Sequence, residues 1–216
     1  MAARIPKGHA VTVRRAGPDD APAIAAIHVT AWHETYTGLL PDTMISALTV
    51  EVRQAWWAQL LSNPPATRGG SAYLAALDGT PVGFGTCNAQ RSDVLAAAGF
   101  DGEISSLYVL RAAQGRGAGR ALMARMATRL QRAEYRAAGL WVLRENAAGR
   151  RFYEGCGGTL LDGDAGLRVQ GRFTEVAYGW RDLAPLTVLA PDPGSGPGAP
   201  RPARRTAPPR ARARGG

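Results

Sequence analysis

Cysteine is scarce in this chain: Cys87 and Cys156 are the only two in 216 residues. Two are too few for a disulfide framework, and their separation does not suit a metal site. No apolar run approaches the roughly 18 residues that a membrane helix needs. The opening, MAARIPKGHAVTVRR, has no apolar segment to serve as a secretory signal. Both thiols are therefore expected to be reduced, in a cytoplasmic protein. No internal repeat is visible, which excludes solenoids and propellers. Acid is scarce at the C-terminal end: from residue 184 onward six arginines (201, 204, 205, 210, 212, 214) face one aspartate, Asp192.

What is present is ordinary for a globular protein, with 45% hydrophobic and 20% charged residues. Of the formal net charge of +9, the end segment carries +5, so the body is only mildly basic. That segment, rich in Pro, Gly, Ala and Arg, has little to bury and is expected to be a disordered tail over 184–216. A basic tail attracts nucleic acid or anionic lipid by counterion release. A solvated extension with no fixed partner is the preferred reading. Residues 1–10 read as a short N-terminal extension, and one domain is expected over 11–183.

Within that domain, residues 10–16 alternate as a strand. GPDDAPAIAAIHVTAWHETY follows as a helix with acids at its start, then VEVRQAWWAQLL as another. SAYLAALDGTPVGFGTCNA predicts a hairpin turning at Asp78-Gly79. Residues 103–110 form the next strand, and a long helix is expected over 118–138 with Leu122, Met126 and Leu130 as its buried stripe. GLWVL is a strand, NAAGRRFYEGCG a helix opening at Asn146, and GTLLDG with FTEVAYGWRDL a closing pair of strands. The strand–helix–strand order in the middle requires part of the sheet to be parallel.

Between strand and long helix lies QGRGAGR, residues 114–120. It lacks the third glycine of a dinucleotide fingerprint, where Arg120 stands, and the Lys-Ser/Thr of a Walker loop. What remains is a turn of small residues at a helix N-terminus, whose N–H groups can converge on an anion, with Arg116 and Arg120 beside it. That suits a diphosphate held without metal and not cleaved. Close packing of helix on strand is the alternative reading of the glycines.

The run QGRGAG resembles the Q/R-x-x-G-x-G/A signature of the GCN5-related N-acetyltransferases (GNAT), with Gln114, Gly117 and Gly119 in the specified places. NAAGRRFYEGCGG resembles the family's N-x-x-A-x-x-F-Y-x-x-x-G-F through Asn146, Phe152, Tyr153 and Gly157. Gly149 replaces the usual alanine and Gly158 the usual phenylalanine, departures that bear on helix stability. EVAYGWRDL and AWHETYTGLLP also look like uncharacterised bacterial members.

The resemblance implies an α+β GNAT fold: a mixed, mostly antiparallel central sheet with a parallel strand pair in the middle and helices on both faces. It implies acetyl-coenzyme A as co-substrate, no metal, and transfer of the acetyl group to a primary amine by direct attack. The cofactor contacts would come from the main chain of Leu107, Tyr108 and Val109 beside a β-bulge, from Gln114, Gly115, Arg116, Gly117, Ala118, Gly119 and Arg120, and from Asn146. Glu103, eleven positions before Gln114, is the candidate base, as against a solvated carboxylate at a strand end. Tyr153 is the candidate acid for the leaving thiolate, as against an aromatic packed on Phe152. Cys156 has no histidine partner in the sequence nearby and is not expected to be a nucleophile.

On the acceptor side, Trp32, His33 and Tyr36 fall where the family binds its second substrate. Relatives that acetylate ribosomal-protein N-termini carry a glutamate where Trp141 stands, which favours a small-molecule amine. Protein lysine or N-terminal acetylation, and a non-catalytic acyl-coenzyme A sensor, are the alternatives. No membrane partner is expected, and a homodimer is compatible with the sequence.

Overall fold

A computed structural model describes residues 10–63, 69–170 and 173–189. Its first strand, β1 (Val11–Arg15), pairs antiparallel with β2 (Ser71–Leu77), which forms a hairpin with β3 (Thr80–Ala89). The hairpin turns at Asp78 and Gly79, both at positive φ. β4 (Gly102–Val109) pairs antiparallel with β3 and parallel with β5 (Ala138–Leu143). β8 (Phe173–Trp180) lies beside β5 and also pairs with β6 (Thr159–Leu160) and β7 (Leu167–Gln170), antiparallel throughout. The sheet runs β1-β2-β3-β4-β5-β8-β6, with β4·β5 as its one parallel pair among the described residues. The expected mixed, mostly antiparallel sheet is thus what forms.

Helices cover both faces. α1 (Ala21–Tyr36) and α3 (Val50–Ser62) bury Ile24, Ile27 and Trp57 against Leu74 and Phe84. α5 (Ala118–Arg132) lies on the opposite face, where Leu122, Met126 and Leu130 are fully buried against Ala75, Ile104 and Leu140. Alternate residues of β2 supply the two cores, as the two-residue pleat requires, with Tyr73, Ala75 and Leu77 on the α5 side and Leu74 on the other. Short α2 (Asp42–Ser46) and α4 (Asp93–Ala97) fall in stretches where the sequence predicted no element. α6 (Ala147–Gly155) follows β5.

Three expectations change. α5 stops at Arg132 and does not run to 138. Glu134 adopts a φ of 66° and the Tyr135 N–H turns back 3.1 Å to the Leu130 carbonyl, ending the helix without glycine. β7 was not anticipated. The tail does not begin at 184: α7 (Ala184–Thr187) packs on α5 and buries Leu186 completely. The rest of the expected tail, 190–216, and the N-terminal residues 1–9 lie outside the described residues. No helix among the described residues is long and apolar enough to cross a membrane.

Candidate active site

The parallel pair is brief. β4 and β5 are in register only at Gly102↔Ala138 and Glu103↔Gly139, so beyond Glu103 the two strands part. On its other side β4 stays paired with β3 up to Val109, with the register slipping between Thr86↔Ser106 and Cys87↔Ile104. Ser105 is the extra residue, a bulge that re-aims the strand. Beyond it Leu107 and Val109 pack on one face and Tyr108 and Leu110 on the other, so the apolar run 107–110 is covered on both faces. The divergence opens a cleft of about 610 Å³ whose walls include Leu107, Tyr108 and Val109 on one side and Leu140 to Leu143 on the other. Among the described residues, 104–109 thus keep one strand edge without a strand partner, inside the sheet and facing the cleft.

The glycine turn closes one end of this cleft. Gly117 is the N-cap of α5 with φ 90°, the left-handed region that side chains disfavour. The first intrahelical bond runs from the Ala121 N–H to the Gly117 carbonyl, 2.9 Å, so the N–H groups of Ala118, Gly119 and Arg120 have no acceptor within the helix. Gly119 must be small for another reason: a Cβ there would stand 3.0 Å from the Phe152 ring. Gln114, Gly115, Ala118 and Gly119 line the cleft, whereas Arg116, Gly117 and Arg120 do not. The Gln114 side chain donates to the Val109 carbonyl (3.1 Å), fastening turn to strand, while Arg120 donates to the Gly155 carbonyl (3.3 Å). The donors present, helix-end N–H groups of the cleft-lining Ala118 and Gly119, fit a diphosphate.

On the opposite wall, Asn146 caps α6 by accepting from the Gly149 N–H at 2.9 Å. A Cβ at residue 149 would press on that Asn146 side chain, so glycine here leaves the cap room. Gly158 is occupied differently: Trp180 fills the space where a larger side chain would go, its indole N–H donating 3.0 Å to the Cys156 carbonyl. Both departures from the family pattern are therefore accommodated, and α6 forms. Tyr153 is half-buried and lines the cleft. Burial, reinforced by Tyr36, pushes its hydroxyl well above the ordinary tyrosine range, so it stays protonated at neutral pH. Cys156 is buried and its thiol is likewise pushed up.

A second, smaller cleft of about 470 Å³ adjoins the first and shares Tyr36, Tyr108, Trp141 and Glu175 with it. Trp32 and Tyr36 line it, their rings 4.5 Å apart on successive turns of α1. His33 points elsewhere: it is exposed and lines neither cleft. Glu103 lines only this second cleft, and both its oxygens are taken by Arg91, at 2.7 Å from Nε and 2.9 Å from the terminal nitrogen. The indole N–H groups of Trp32 and Trp141 are shielded from solvent and have no acceptor among the described residues. The two tryptophans of α3 lie outside both clefts: Trp57 is core, donating 3.2 Å to His28 Nδ1, and Trp56 is exposed. His28 and Glu175 were not anticipated. Glu175 opens EVAYGWRDL, a stretch that resembles bacterial members without pointing to a role, and only the packing of α1 and the pairing of β8 give the two residues their surroundings.

Residues 21–157 match the acetyltransferase (GNAT) family. The chain belongs to that family. It is 31% identical over 185 residues to the uncharacterised N-acetyltransferase YuaI of Bacillus subtilis, covering 83% of this chain and 98% of that protein. A probable N-acetyltransferase of Mycobacterium tuberculosis is 28% identical over 148 residues, 67% of this chain and 77% of that one. Among solved structures, the PaiA N-acetyltransferase of Thermoplasma acidophilum, in complex with coenzyme A, aligns with a TM-score of 0.60 at 17% identity, over 79% of this chain and 99% of that one. YncA of Salmonella typhimurium, a putative acetyltransferase with acetyl-coenzyme A, gives 0.55 at 20%, over 81% and 94%. The parted strands and the turn before α5 are thus features of a GNAT enzyme.

Proposed function

We propose that this acetyltransferase moves the acetyl group of acetyl-coenzyme A onto the primary amine of a small molecule. The observation that carries the reading is the continuity of the two clefts: one ends on the α5 N-terminus, the other is ringed by aromatic side chains and carboxylates, and they meet at Tyr36, Tyr108, Trp141 and Glu175. The main-chain N–H groups of the turn at 115–120 hold the diphosphate, aided by the helix dipole at about 0.3–1 kcal/mol. The unpaired edge of β4 at 107–109 holds the pantetheine arm, and one of its N–H groups polarises the thioester carbonyl, a contribution of about 2.7–4 kcal/mol to the barrier. Asn146 shapes the opposite wall as the cap of α6.

The bound co-substrate supplies an activated acyl group. The protein's part is to strip a proton from the acceptor ammonium and return one to the departing thiolate. A carboxylate of the second cleft takes the first, with Glu103 and Glu175 the two that line it. Tyr153, which holds its proton firmly, supplies the second.

The acceptor enters between Trp32, Tyr36 and Trp141, whose ring faces favour a cation. Glu103 and Glu175 add carboxylates to the same cleft, which favours a cationic amine further. Thiol release from acetyl-coenzyme A, followed across a panel of amines, tests this. Small amines such as polyamines and amino sugars are expected to react faster than lysine-containing peptides. Peptide lysines reacting fastest would overturn the small-molecule reading.

A further inference from the structure

Two carboxylates line the second cleft, and they are not equivalent. Glu103 is gripped at both oxygens by Arg91 and lines only that cleft. Glu175, on β8, is the one carboxylate among the described residues that lines both clefts. Its Oε2 accepts both of its bonds from Arg168, at 2.7 Å from Nε and 2.5 Å from the terminal nitrogen. Its Oε1 has no hydrogen-bond donor among the described residues.

The setting holds that carboxylate still. Glu175 is in register with Leu143 of β5 on one side and with Arg168 of β7 on the other, so its strand is paired on both edges at this point. Arg168 is pinned in turn, its guanidinium lying 4.7 Å from the centre of the Trp141 ring. Glu175 is near enough to Tyr36 for its charge to raise that hydroxyl's pKa further, after burial. Its side chain keeps 19% of its exposure, enough for contact with a small solute. A base for acetyl transfer must reach the place where the amine of one cleft meets the thioester of the other. Glu175 stands there with a free oxygen, and Glu103 does not.

We infer that Glu175 is the catalytic base of this enzyme and that Glu103 serves to hold Arg91 at the mouth of the acceptor cleft. The inference rests on the acetyl-transfer reading above. Glu175 Oε1 takes one proton from the ammonium and passes it to solvent. The freed nitrogen lone pair forms the C–N bond, and the C–S bond breaks with its electron pair on sulfur. The second nitrogen proton ends on the thiolate by way of Tyr153. The products are the amide, the thiol and one released proton, which balances the reaction.

The experiment compares wild type, Glu175→Gln and Glu103→Gln as full-length chains, with thiol release on the best amine of the panel and coenzyme A affinity by calorimetry. Glu175→Gln is expected to lower kcat about 100-fold at neutral pH, with coenzyme A affinity unchanged. The deficit should shrink towards about pH 9.5, where more of a lysine-like amine is already neutral and needs no base. The titrating hydroxyls facing Glu175 do not mask this: those of Tyr36 and Tyr108 are both raised by burial, and the group bonded to its Oε2 is the Arg168 guanidinium. Glu103→Gln should act mainly on KM. A Glu175→Gln enzyme with wild-type kcat, or a deficit that does not change with pH, overturns the inference. So does a deficit that follows Glu103→Gln instead. A wild type that binds coenzyme A but acetylates no amine overturns the acetyl-transfer reading itself, and the inference with it.

Discussion

Tyr153 and His28 show how burial sets what a single side chain does. Tyr153 keeps its hydroxyl proton because the pocket disfavours the phenolate. Tyr153→Phe retains the ring that packs beside Phe152, so its effect should fall on kcat alone, by about 10–100-fold. Steady-state kinetics with calorimetric coenzyme A affinity separate the two. His28, 8% exposed, has its pKa lowered to about 4, chiefly by burial, and accepts a hydrogen bond from Trp57. Since the folded form binds the proton less readily than the unfolded chain, His28 adds stability above about pH 6.5 that is lost as pH falls towards 4. The loss is at most about 3 kcal/mol. Thermal melts of wild type between those limits should fall more steeply than those of His28→Gln. The motif residues were legible because backbone geometry demands their types: Gly117 for its φ, Gly119 for the Phe152 contact, Asn146 as a cap. Glu175 was not legible, since a lone glutamate in a strand gives no sign of which cavity the strand will border.

At the scale of elements, the site depends on where β4 and β5 cease to pair and on what α5 presents to the gap. Gly117→Ala puts a side chain on a left-handed residue and should cost about 1 kcal/mol in denaturant unfolding. It should weaken coenzyme A binding in the same variant, since the N–H groups of the turn would rotate. A loss of stability without any loss of affinity would mean that the turn is only a connector. The long elements were readable because a helical stripe and a two-residue alternation mark them, as Leu122, Met126 and Leu130 do. β7 and the short helices were not. β7 is four residues long and is a strand only because β8 lies beside it. The end of α5 also escaped notice, because the left-handed residue that stops it is Glu134.

For the whole molecule, the charge is unevenly placed, with all six arginines of the end segment beyond residue 200. Removing 190–216 should leave stability and acetyl transfer unchanged, and should abolish any salt-sensitive binding to nucleic acid. Cutting after Leu183 is a different operation, because it removes Leu186 from its place against α5 and should cost about 2–5 kcal/mol. Denaturant melts of the two truncations tell them apart. Composition alone placed that boundary too early, since APLTVL looks like the start of a tail until its leucine meets α5. Acetyl transfer on this fold depends first on the N-terminus of α5 gripping a diphosphate. A calorimetric titration of coenzyme A into wild type and Gly119→Val, with folding of the variant confirmed by circular dichroism, addresses it directly. We expect saturable one-to-one binding to wild type and at least about tenfold weaker binding to the variant, or about 1.4 kcal/mol. Equal affinities, or no heat with wild type, would contradict it.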